Sequence, residues 1–194
     1  MFSRLRSSIN GLVKMEEEEF QMLIPLFGVR EVRKMEFLMR SGEICRHGYF
    51  VNKGSFRCYQ IDDSGYEHII EFNMEGNWMG DPESYWKETP AAYSIQALED
   101  SEVLTIDKSA SKFSMAHCQN YLEYHMRLFM NYSHSLFKRL YDDTILTAED
   151  KYLLILENKP ELLQRIPQKY IAQFLGITPQ SLSRIRKEFL VHRF

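Results

Sequence analysis

The stretch PQKYIAQFLGITPQSLSRIRK at residues 167–187 narrows what this chain can be more than any other. A first helix would turn Ile171, Ala172 and Leu175 inward, Gly176 would supply the left-handed residue that ends it, and Ile177 would fill the corner. Thr178 is placed to cap a second helix, and Pro179 takes its first position, where a missing N–H costs nothing. Leu182 and Ile185 point back at the first helix, and Ala172 is small enough for two helices to cross at close range. Each diagnostic position agrees with a helix-turn-helix.

The residues this second helix leaves outside are equally informative. Gln180, Ser181, Ser183, Arg184 and Lys187 face outward from the half that enters the major groove in this motif. Arg184 can bond bidentately to guanine O6 and N7, and Gln180 to adenine N6 and N7. Thr178, Ser181, Lys169, Arg186 and Lys187 complete the expected DNA-contact set, most of them suited to phosphate, where they set register and salt dependence. A helical hairpin used for protein contact is the competing reading, and the charge distribution weighs against it. Residues 164–194 hold six basic side chains (Arg165, Lys169, Arg184, Arg186, Lys187 and Arg193) against Glu188, a net +5. With −3 for the whole chain, residues 1–163 carry −8, so an acidic body presents a basic end to phosphate.

Upstream the texture differs. Residues 16–26 place apolar side chains at helical spacing behind an acidic run, which predicts a short helix. From residue 29 to about 107, short β-branched or alternating runs (49–51, 56–61, 68–72, 93–98 and 102–106) are punctuated by glycine, the pattern of an antiparallel sandwich or barrel. Asp107 can cap a short helix, and a long helical pattern then runs from about 119 to 141, ending where Asp142-Asp143 interrupts. Within it Leu122, Met126, Phe129, Ser133, Leu136 and Leu140 recur at heptad steps, a seam of roughly 28 Å suited to pairing with a second copy. The off-seam Leu128, Met130 and Phe137 are left to pack on the chain's own β region. Thr147 and Asp150 open a further helix in a capping-box arrangement, and it stops at Asn158-Lys159-Pro160.

Composition excludes several classes. With 44% hydrophobic and 26% charged residues the chain is an ordinary folded protein. No run approaches the ~20 apolar residues of a membrane span, so a cytoplasmic protein with no membrane partner is expected. Cys45, Cys58 and Cys118 form no disulfide framework or metal knuckle, and three thiols are too few for a four-thiolate iron–sulfur cluster. Among six histidines nothing singles out an axial pair for haem. A cupin-like metalloenzyme is the rival from another class; it wants converging histidines, and only His47 and His68 lie in the strand region. No nucleophile elbow, phosphate loop or carboxylate pair is present, so neither a catalytic nor a metal site is expected.

Taken together, these segments resemble the Crp/Fnr family of bacterial regulators over almost the whole chain. The glycine-punctuated region is similar to that family's cyclic-nucleotide-binding-type β-roll, the heptad stretch to its dimerisation helix, and Gln180-x-x-Ser183-Arg184 to its Glu-x-x-Ser-Arg recognition signature, with glutamine for glutamate. The resemblance implies an α+β fold: an antiparallel β-roll (double-stranded β-helix) over residues 1–110, a dimerisation helix and linker over 111–144, and a helix-turn-helix domain over 145–194. It implies a homodimer on pseudo-palindromic double-stranded DNA, with RNA polymerase and an unidentified small-molecule effector as further candidate partners, and a C-terminal wing shorter than usual. Cyclic AMP is not the expected effector. Family members that bind it follow a Gly-Glu-Leu turn, about ten residues later, with Arg-Ser or Arg-Thr, whose guanidinium neutralises the phosphate. Here the turn reads Gly80-Asp81-Pro82 and the pair reads Ala91-Ala92. The aromatic side chains Trp78, Tyr85, Trp86 and Tyr93 complete the candidate effector pocket, where they either bind a flat ligand or fill the roll.

Overall fold

The computed structural model describes residues 1–191. Eight strands form two antiparallel sheets: β1 (Gly28–Val32), β8 (Ser101–Asp107), β3 (His47–Lys53) and β6 (Trp78–Met79) in that order, and β2 (Phe37–Met39), β7 (Ser94–Ala97), β4 (Phe56–Ile61) and β5 (Glu67–Asn73) in the other. Between them lies a core that includes Val51, Phe56, Ile95 and Val103, all fully buried. Gly54, at φ +103°, turns β3 into β4 where any Cβ would collide with Ser101. The β4–β5 ladder has one irregularity: Cys58 pairs with Glu71 and Tyr59 with Ile69, so Ile70 is a bulge residue without a partner on β4.

The outer face of the first sheet is covered by α1 (Ser3–Asn10), α2 (Glu17–Leu23), the 3-10 turn Ile24–Leu26, and the start of α5 (Gln119–Ile145), with Leu5, Ile9, Leu23, Phe50, Leu104, Tyr121 and Tyr124 buried together. Sequence reading places a helix at α2 but not at α1, whose apolar stripe is only Leu5 and Ile9 between arginines and serines. The short α3 (Pro82–Lys87) and α4 (Lys108–His117) follow β6 and β8, and α4 is capped by Asp107, which accepts the Ala110 N–H at 2.8 Å.

α5 does not stop at the two aspartates. It continues through Asp142 and Asp143 to Ile145, because Lys138 pairs with Asp142 (2.7 Å) and Lys151 with Asp143 (2.8 Å), which offsets the poor helix propensity of aspartate. The off-seam residues divide as well. Leu128 packs on the β region, whereas Met130 and Phe137 remain 66% and 73% exposed, because they lie on the side of α5 turned away from the roll. Beyond it, α6 (Ala148–Asn158) carries the Thr147/Asp150 capping box, and Pro160 starts α7 (Pro160–Arg165) rather than only ending α6. Next come α8 (Gln168–Phe174) and α9 (Pro179–Val191). Their apolar sides share one cluster with Tyr59, Ile69 and Phe72 of the second sheet and with Leu98 just beyond β7, so the C-terminal helices are seated on the roll's outer face.

Candidate nucleic-acid interface and effector cavity

α8 ends as its sequence dictates. Gly176 sits at φ +69°, its N–H donates to the Gln173 carbonyl (3.1 Å), and the Ile177 N–H donates to Ala172 (3.0 Å), the two bonds of a Schellman turn. Thr178 Oγ1 then accepts the Ser181 N–H at 3.1 Å and starts α9 behind Pro179. Ala172 is fully buried at the crossing, with Leu182 and Ile185 against it. The fixed crossing leaves Gln180, Ser183, Arg184 and Lys187 exposed on one face; Ser181 and Arg186 are half-buried, and Thr178 and Lys169 are exposed at its edges. Lys169 Nζ lies 4.4 Å over the Tyr170 ring. No acid occurs between residues 167 and 187, so the first two turns of α9 carry only neutral and cationic side chains; the first acid is Glu188, exposed one turn beyond Arg184.

Arg165 departs from the sequence expectation. It turns away from this face and pairs with Glu75 (2.8 Å) and Glu99 (2.5 Å) of the roll, because those two acids lie under the C-terminus of α7. The cationic surface is therefore smaller than the charge count implied; His192 and Arg193 lie outside the described residues.

A groove of about 880 Å³ runs between the roll, α5 and the C-terminal helices. Trp78, Gly80, Asp81, Tyr85 and Trp86 line it together with His125, Phe129 and Tyr132, whereas Ala91, Ala92 and Tyr93 do not. Trp78 also packs outward against Phe50 and donates its indole N–H to the Tyr124 hydroxyl (2.8 Å), so the four aromatic residues do not form one box. What does converge is the Gly80-Asp81 turn and the Ala91–Tyr93 strand entry. Asp81 accepts the Ser84 N–H (3.0 Å) at the start of α3 and the Ala92 N–H (2.9 Å), and the Tyr93 hydroxyl donates to the Gly80 carbonyl (2.7 Å). Burial pushes the Tyr93 pKa well up, so it stays a neutral donor. Both of these backbone N–H groups are thus bonded to the protein's own carboxylate.

Along α5 the seam is open. Met126, Phe129 and Leu140 are more than half exposed, Leu122 and Leu136 only slightly less so, and Ser133 is half-buried. Sequence reasoning missed Arg57, Arg139 and Tyr170, which join the roll to the C-terminal helices; an isolated arginine on a strand or helix gives no sign of a partner so distant in sequence. His47 and His68 do not converge, and His68 instead contacts Asp62 at 2.6 Å. Among the described residues no group of three or more His, Cys, Asp or Glu side chains could hold a metal, and no helix is long and apolar enough to cross a membrane.

Residues 29–115 match the family model of the cyclic nucleotide-binding domain. No curated protein matches the sequence. Among solved structures, the chain is similar to the c-di-GMP responsive global regulator CLP of Xanthomonas campestris (14% identity, 91% of this chain and 93% of that one, TM-score 0.71). It is also similar to a Eubacterium rectale protein assigned to the Crp/Fnr family of transcriptional regulators (15% identity, 92% and 85%, TM-score 0.69) and to the Thermus thermophilus Catabolite Activator Protein (17%, 92% and 85%, TM-score 0.59). At such identities the likeness establishes the fold: a cyclic nucleotide-binding-type β-roll followed by a long helix and C-terminal helices, in the α+β architecture of Crp/Fnr-type regulators.

Proposed function

We propose that this protein is a sequence-specific, DNA-binding transcriptional regulator of Crp/Fnr type that acts as a homodimer and does not use cyclic AMP. The observation that carries the reading is the exposed face of α9, where Gln180, Ser183, Arg184 and Lys187 project together, with no acid before Glu188, from a helix fixed by the Schellman turn and the Thr178 cap. Gln180 and Arg184 stand one helical turn apart, so they reach neighbouring base pairs, while Lys187 and Lys169 flank them at phosphate. Two copies joined along α5 would set their reading helices about 34 Å apart, on successive major grooves.

Salt-dependent binding to duplexes selected from a random-sequence pool tests the proposal directly. Arg184→Ala is expected to relax base preference at one position of each half-site and to cost roughly 1–3 kcal/mol there. Lys187→Ala is expected to weaken selected and random DNA alike and to flatten the salt slope by about one. Absence of salt-sensitive affinity for any duplex would remove the regulator reading; equal losses on both kinds of DNA for both variants would reverse the two roles.

For the roll, the reading is that its phosphate position is filled from within. A cyclic phosphate would have to displace Asp81 from the Ser84 and Ala92 N–H groups, would meet that carboxylate's charge, and would find Ala91 where a guanidinium is needed. Millimolar cyclic AMP or cyclic GMP is therefore expected to leave the melting temperature unchanged, since a ligand raises it only by preferring the folded form. A shift of several degrees with either nucleotide would contradict this.

A further inference from the structure

We propose that Arg57, Arg139 and Arg165 are positioning residues: they fix the angle of the α8–α9 unit on the roll, and thereby the half-site spacing that a dimer accepts. The inference rests on the DNA-binding reading above.

Three guanidiniums meet the C-terminal helices at three separate points. Arg57 on β4 is 3% exposed, and its donors are satisfied inside the roll by Gln96 Oε1 (2.7 and 3.0 Å) and by both oxygens of Glu67 (2.5 and 3.0 Å). Those bonds within the roll fix its plane, and the guanidinium lies 4.0 Å from the Tyr59 ring and 4.2 Å from the ring of Tyr170 on α8. At the far end of α8, Phe174 lies 4.3 Å from the Arg139 guanidinium and 5.3 Å from the Phe72 ring. Arg139 donates to the carbonyl of Ile70, the bulge residue of β5 that has no partner on β4. The third point is Arg165 at the end of α7, forked across Glu75 and Glu99. Glu75 is itself tied to the β3–β4 turn through the Gly54 N–H (2.9 Å). Burial works against its charge, but Arg165 and that N–H outweigh it and hold its pKa at about 2, so the contact is fully ionic near neutrality.

Three non-collinear attachments determine the orientation of a rigid body, where one or two would leave a hinge. One of them starts from α5, the helix bearing the seam, so the reading helix is oriented with respect to the dimer axis as well as to the roll. The reading side chains lie on the opposite, exposed side and are not blocked by these contacts. A reading head held this way fits one half-site separation, because adding one base pair moves the groove by about 3.4 Å and turns it by about 35°. A head on a loose tether would accommodate several separations.

The experiment measures affinity for the selected palindrome and for versions with the central spacer lengthened or shortened by one base pair. The wild type is expected to prefer one spacing by about tenfold or more. Arg165→Ala and, separately, Arg139→Gln are expected to reduce that preference to about threefold or less, mainly by improving the relative affinity for the altered spacers. Lys187→Ala, which touches phosphate only, is expected to lower all three affinities together, so simple loss of binding is distinguishable from loss of positioning. A spacing profile unchanged in both latch variants would overturn the inference. A second measurement needs no DNA: spin labels at Asp63→Cys and Glu188→Cys, with the three native thiols buried and the labelled chain diluted in excess unlabelled chain so that only the distance within one protomer is read, should give one narrow distance in the wild-type background and a broadened one with Arg165→Ala. A broad wild-type distribution would also overturn it. If the wild type binds no duplex while the distance behaves as expected, the DNA-binding reading fails and the latch stands.

Discussion

Met126→Glu combined with Leu140→Glu is expected to give a folded monomer whose affinity for a full palindrome falls by a factor of roughly 10²–10⁴. Both side chains lie on the heptad stripe of α5 and are 58% and 67% exposed, so neither substitution opens a cavity in the folded chain. The stripe is continued by Leu122, Phe129 and Leu136, and beside it Met130, Phe137, Tyr141 and Ile145 are also open, far more apolar surface than a solvated helix of a monomer usually shows. Burying it against a second copy would contribute about 1.5–3 kcal/mol per large side chain, and a glutamate at each of two layers would instead bury charge opposite like charge. The DNA loss follows from valency rather than chemistry, since two tethered reading helices bind a palindrome far more tightly than one binds a half-site. Sedimentation and titration of full and half operators check both parts: the half-site affinity should be unchanged. A variant still dimeric at micromolar concentration would locate the dimer interface elsewhere.

The parts legible in the sequence were those whose signals are local. Gly176, Thr178 and Pro179 act within four residues of themselves, so the turn between α8 and α9 and the cap of α9 could be read directly. Strands β3, β4, β5, β7 and β8 carry enough alternation to be seen, whereas β2 and β6, of three and two residues, are defined only by the strands they pair with, and β1, five residues with Arg30 and Glu31 at its centre, is missed. Asp142 and Asp143 mislead because aspartate's intrinsic preference is read without Lys138 and Lys151, the second of which lies on another helix. The Gly80-Asp81 turn shows the same limit. Sequence shows Ala91-Ala92 downstream of Gly80-Asp81; only the folded backbone shows Asp81 bonded to the N–H groups of Ser84 and Ala92. Arg57 and Tyr170 meet across more than a hundred residues, and nothing near either one announces the contact.

The same long-range packing makes one histidine a source of acid sensitivity. His125 sits where α5 leaves the roll, with its ring 4.5 Å from Tyr121 and 5.3 Å from both Trp78 and Tyr124 by centroid. Its Nε2 is buried without a hydrogen-bond partner among the described residues, and burial alone lowers its pKa from 6.5 to about 4. Since the unfolded chain takes up this proton below about pH 6.5 and the folded chain does not until near pH 4, the neutral imidazole favours folding fully above pH 6.5 and progressively less as pH falls toward 4. Between pH 7 and pH 5 the loss is about 2 kcal/mol. Glu75 contributes in the same direction but lower, from its ordinary 4.5 down to about 2, outside that interval. His125→Phe keeps an aromatic ring among Trp78, Tyr121 and Tyr124 while removing both the titrating group and the orphaned nitrogen. Urea unfolding at pH 7, 6 and 5 should show the variant at least as stable as the wild type at pH 7 and about 2 kcal/mol less sensitive to acid over the interval. Identical pH dependence in the two proteins would mean that the wild-type imidazole takes up its proton as readily folded as unfolded. Because this residue anchors the base of the helix that carries the seam, the predicted loss on acidification falls on the contact between roll and α5, and dimer and DNA affinity should decline with it.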